Sequence, residues 1–115
     1  MSARVLPETE WTSHFDQASK RLDGERAMIE VKDLPFGDRR QARCLPLYGV
    51  TYDSKDKTLE IAMEGLDHLI EAPRQIVVSE GPGGLESIEI TDAQKQTQIV
   101  TIVKPLRTIR RRQAT

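Results

Sequence analysis

Apolar side chains along LPETEWTSHFDQASKRLDG recur at spacings of three and four: Trp11, Phe15, Ala18 and Leu22, with His14 on the same stripe. That spacing stacks them on one face and predicts an amphipathic helix. Pro7 suits a first turn, Glu8 and Glu10 suit the positive end of the helix dipole, and Lys20 and Arg21 suit the negative end. Gly24 supplies a stop.

Beyond Gly24 the period changes to two. Ala27, Ile29 and Val31 alternate with Glu30 and Lys32, which predicts a half-buried strand. DLPFGDRR breaks the pattern and reads as a loop. In ARCLPLYGVTYD, Ala42, Cys44, Tyr48, Val50 and Tyr52 share one parity, and Pro46 inside the run implies an edge or a bulge. DSKDK is rich in turn formers, and Leu59, Ile61 and Met63 alternate after it, so the two runs form a hairpin. GLDHLIEAP, closed by Pro73, predicts one loose helical turn or an irregular crossing. QIVVS, SIEIT and QIVTIV are three further short strands, joined by EGPGGLE and DAQKQ.

These elements define an α+β fold, an N-terminal helix followed by a twisted, mostly antiparallel sheet of about five to six short strands, open or curled towards a small barrel. No segment long enough for a helical crossover separates the strands, which disfavours parallel pairing. At 115 residues the chain suits one domain, placed at residues 1–106, with 107–115 as a basic, disordered tail. One cysteine, Cys44, precludes an intrachain disulfide. The lack of a signal-like or bilayer-length apolar run points to the cytoplasm, with no membrane partner.

Charge adds one asymmetry. The net charge of −1 hides Arg107, Arg110, Arg111 and Arg112 at the end of the chain, while the remainder carries 13 basic against 18 acidic residues. An acidic body repels a polyanion, so only those four arginines offer a nucleic-acid contact. A solvated tail is the plainer expectation.

Candidate chemistry centres on D-H-x-x-E. On a helical turn His68 and Glu71 share a face, with Asp67 beside them, and a carboxylate there holds an imidazole for acid–base work. A lone histidine among acids is more often a hydrogen-bonded or solvated cluster. His14, His68 and Cys44 lack metal-ligand spacing, so neither metal nor cofactor is expected. Asp53, Asp56 and Asp92 read as turn formers, Gly81, Gly83 and Gly84 as hairpin geometry, and Trp11, Tyr48 and Tyr52 as core.

Together, W-x-x-x-F-D, I-E-V, A-R-C-L-P-L-Y-G-V-T-Y-D and L-E-I-A-M-E-G-L-D-H-L-I-E-A-P resemble an uncharacterised bacterial family, the domain of unknown function numbered five-three-three-five. The resemblance covers Arg4 to Val103, is most specific from Leu45 to Pro73, and implies no activity, cofactor or catalytic residue. The expected function is therefore a small non-catalytic interaction module with an unknown protein partner or a second copy of itself. The alternatives are a nucleic-acid binder with an Sm-like sheet and basic tail, and a small-molecule binder or enzyme using Asp67, His68 and Glu71.

Overall fold

A computed structural model describes residues 2–22, 24–32, 40–41, 44–82 and 84–103. The chain starts with a strand, β1 (Ser2–Leu6), which the sequence reading did not anticipate. A single 3-10 turn (Glu8–Glu10) then leads into the expected helix, α1 (Trp11–Leu22). Among the described residues eight further strands follow: β2 (Arg26–Val31), β3 (Arg40–Gln41), β4 (Leu45–Asp53), β5 (Thr58–Met63), β6 (Leu66–Glu71), β7 (Pro73–Gly81), β8 (Gly84–Asp92) and β9 (Thr97–Val103). The sheet thus exceeds the five or six strands expected. The reason is that β1, the two-residue β3 and β6 are too short or too irregular in pattern to register as alternation.

The strand order is β1-β7-β8-β9-β2-β4-β5-β6, with β3 pairing β2 off this path, and every pairing is antiparallel. Two meanders, β4-β5-β6 and β7-β8-β9, are joined through β2. β2 holds β9 along its whole length but meets β4 only at Arg26–Pro46 and Ala27–Leu45. The sheet bends at that short junction, and the two arms face each other. Leu59, Ile61 and Ile70 of one arm share a core with Ile76, Ile88, Ile90 and Val100 of the other. The first and last strands, β1 and β6, do not pair, so the sheet curls without closing into a barrel.

The helix packs chiefly against β4 and brings Trp11 and Phe15 into the core at 2% and 0% exposure. The Trp11 indole donates from Nε1 to the Leu6 carbonyl at 2.9 Å and meets the Tyr52 ring edge-on, with centroids 5.0 Å apart. Burial, reinforced by Glu8 and Asp53, raises the Tyr52 phenol above its ordinary range, so it stays neutral in this core. Ser19 ties the helix to the edge of β4, its hydroxyl donating to the Val50 carbonyl and accepting from the Val50 amide, each at 2.8 Å. Gly49 makes this approach feasible, because a Cβ there would stand 3.1 Å from the Ser19 hydroxyl.

Two expectations are corrected. Tyr48 is not a core residue but 53% exposed, while Leu47 is buried. The cause is a register shift between Leu47 and Gly49, which reverses the parity of β4 around the bulge. GLDHLIEAP is not a helical turn: Glu64 and Gly65, the latter at φ +75°, reverse the chain, and Leu66–Glu71 runs back along β5 as β6. The loop DLPFGDRR, Ala42, Gly83 and the four tail arginines lie outside the described residues, except that Arg40 belongs to β3.

Candidate binding edge

β6 stands at one end of the strand order. Its two-residue turn makes Met63 and Leu66 the closing pair of a hairpin, and such a pair is hydrogen-bonded. Antiparallel ladders alternate narrow and wide pairs, so Leu66, His68 and Ile70 direct their backbone groups at β5. Asp67, Leu69 and Glu71 direct theirs away from it, towards a side that no strand occupies among the described residues.

Side chains follow the same alternation. Leu66, His68 and Ile70 face inwards, while Asp67, Leu69 and Glu71 are exposed. Leu69, at 54% exposure, is thus an apolar residue set between two acids on a strand with a free edge. Natural edges are usually blunted by charge, bulges or covering elements. Here the charges flank an exposed leucine and do not cover it.

This geometry separates the residues of D-H-x-x-E. In a strand, positions three apart point to opposite faces, so His68 turns inwards and both carboxylates turn out. His68 Nε2 donates to Gln98 Oε1 of β9 at 2.6 Å, linking the two arms of the bent sheet. Gln98 is itself buried. A polar slot of about 250 Å³ lies between the second half of β6 and the β8–β9 turn, lined by Leu69, Glu71, Gln94, Gln96 and Gln98 among others.

Sequence reasoning missed Glu60. It lies on β5 opposite Leu69, on the same outward face as Asp67 of the neighbouring strand. Hydrogen bonding to the Asp67 carboxyl, then burial and the Asp67 charge, raises the Glu60 pKa above the ordinary carboxylate value. The signal was present in the alternation, since Glu60 falls on the outer parity of TLEIAME, but the cross-strand pairing was needed to see it. A folded pKa raised above the unfolded one contributes stability that is fully present below the unfolded pKa and lost as pH rises through the folded one. Glu60→Gln replaces the carboxyl with an amide that does not titrate and so removes that loss. As pH rises from the acid range through the raised Glu60 pKa, the midpoint of urea unfolding is therefore expected to fall more in the wild type than in the variant; parallel profiles would refute the raised pKa.

A second concavity, about 540 Å³, lies between α1 and the end of the β7–β8 hairpin, lined by His14, Gln17, Arg21, Glu25, Glu80 and Leu85 among others. His14 Nδ1 is buried there without a hydrogen-bond partner, and Nε2 is 3.9 Å from Glu80. Among the described residues no three His, Cys, Asp or Glu side chains are grouped so as to hold a metal ion, and no helix is long and apolar enough to cross a membrane.

The fold and this edge define a class: a bent antiparallel sheet braced by one helix, ending in an accessible acidic strand. The chain belongs to a family of unknown function (DUF5335), which matches residues 2–110. A protein of Aquifex aeolicus (strain VF5), described as "Uncharacterized protein", is 36% identical over 106 residues, covering 91% of this chain and 95% of the relative. No solved structure matches.

Proposed function

We propose that the protein is a binding module that accepts an extended, basic peptide strand along the free edge of β6. The observation that carries this reading is the exposed Leu69 between Asp67 and Glu71 on a strand whose outward amides and carbonyls meet no other strand among the described residues. Strand addition draws affinity from main-chain hydrogen bonds and specificity from alternate side chains. The acids select for Arg or Lys, and Leu69 selects for an apolar residue between them. The opposite edge, β1, is less suited: Arg4 lies 3.9 Å from both Glu10 and Glu80, so its charge is already engaged.

The test is a selection of phage-displayed random decapeptides on the full chain, counter-selected against Leu69→Lys. Leu69 is exposed, so this substitution leaves the core intact. Enriched peptides should alternate basic and apolar residues and lose at least tenfold in affinity for the variant, about 1.4 kcal/mol. Peptides that bind both proteins equally, or none above background, would dismiss the reading.

A further inference from the structure

Once β6 is read as a strand, a sequence match emerges that the helical reading concealed. Its outward side chains are Asp67, Leu69 and Glu71, an acid–apolar–acid row at spacing two. The C-terminal segment carries the complement at the same spacing: Arg107, Ile109 and Arg111. We propose, resting on the strand-addition reading above, that the occupant of the β6 edge is the segment Arg107–Arg111 of a second copy of this chain.

Paired directly, Ile109 covers Leu69 while the two arginines meet the two carboxylates. Because the row is symmetric about its apolar residue, the side chains match in either strand direction. Opposite charges and apolar pairs facing each other across strands are each favourable, and like charges unfavourable. An arginine beside Asp67 also faces Glu60, a third acid on the same face, opposite Leu69 on β5. The family match extends to residue 110 and so takes in Arg107 and Ile109, with Arg111 one residue beyond it.

The lengths favour a second copy over the chain's own tail. Val103 lies in register with Arg26, Arg26 with Pro46, Leu47 with Met63, and Met63 with Leu66. The end of β9 is therefore four strand spacings from the start of β6, about 19 Å along the sheet at about 4.8 Å each. Arg107 follows Val103 by four residues, which extend to about 14 Å at most. Across the bend β6 and β9 also meet directly, with His68 Nε2 2.6 Å from Gln98 Oε1, so pairing with the chain's own tail is the competing outcome, which a strictly monomeric wild type would reveal. Two copies exchanging tails reciprocally satisfy both edges and close a two-fold dimer.

The experiment is sedimentation velocity on the full chain from micromolar to millimolar concentration at low salt. A concentration-dependent dimer is expected, weakened by salt because its ion pairs are solvent-exposed. Arg107→Glu with Arg111→Glu should raise the dimer dissociation constant at least tenfold, and adding Asp67→Arg with Glu71→Arg to that chain should restore association. The Arg107→Glu/Arg111→Glu chain should bind a synthetic peptide of residues 104–113, and Leu69→Lys in that background should abolish the binding. A strictly monomeric wild type, a reversed tail that leaves the mass distribution unchanged, or a charge exchange that fails to restore it would overturn the proposal. If those results came with displayed peptides that still depend on Leu69, strand addition would stand and only its occupant would be wrong; failure of both would remove the edge reading too.

Discussion

Trp11→Ala is expected to destabilise the fold by about 3–5 kcal/mol, a large share of the total stability of a domain this size. The side chain is 2% exposed and joins three elements: the helix it belongs to, β1 through the bond from Nε1 to the Leu6 carbonyl, and β4 through the edge-on contact with Tyr52. Removing it opens a cavity that rigid sheet neighbours cannot collapse to fill, leaves the Leu6 carbonyl unpaired, and forfeits an aromatic pair worth about 0.5–1.5 kcal/mol. Trp11→Phe separates these contributions: it keeps most of the apolar contact and loses the hydrogen bond, at about 1–3 kcal/mol. Because Trp11 is the chain's single tryptophan, unfolding of both variants is followed by far-ultraviolet circular dichroism. A loss below about 1 kcal/mol for the alanine variant would mean that the helix does not pack as described.

Ser19→Ala should cost about 1–3 kcal/mol, far more than a part-buried serine on a helix ordinarily does. β4 pairs with β2 only at its first two residues, so beyond the bulge its second edge has no strand among the described residues. The Ser19 hydroxyl serves both backbone groups of Val50 at that edge, standing in for the missing neighbour. Alanine leaves a buried amide and carbonyl to share whatever solvent can enter beneath the helix. The urea midpoint is expected to drop at unchanged slope, which marks lost stability and not a changed degree of unfolding. A midpoint equal to wild type would show that the helix is not a surrogate strand here.

Several features are legible in the sequence alone. The Trp11, Phe15 and Leu22 stripe, the Tyr52–Leu59 hairpin, the burial of Ile29, Ile61 and Met63, and the antiparallel pairing all followed from periods of 3.6 and 2 with turn residues between them. Two misreadings share a cause. Leu69 falls on the outer parity of β6, and Leu47 and Tyr48 straddle a bulge, so in both places the local hydrophobic count disagrees with the strand's true alternation. The short strand β1 was hidden for a different reason: five residues ending at a proline carry little pattern, and it is a strand because β7 is there to pair with it.

The candidate edge divides along the same line. Asp67 and Glu71 were visible as charges, and Arg107 and Arg111 as part of an opposite charge, but whether Asp67, His68 and Glu71 share a face depends on the local backbone period. The Glu64–Gly65 reversal and the pairing with β5 decide it, placing His68 against Gln98 and the acids outside.

By itself, then, the order of residues determined which positions seek the interior and roughly where the chain turns, because burial periodicity and turn chemistry act over a few neighbouring residues. Only the tertiary structure decided that the sheet bends at the two-residue junction of β2 with β4, that a helix seals an open strand through Ser19, and that Leu69 lies uncovered between two acids. Each of these depends on partners brought together from distant parts of the chain, and no local pattern records which partner arrives.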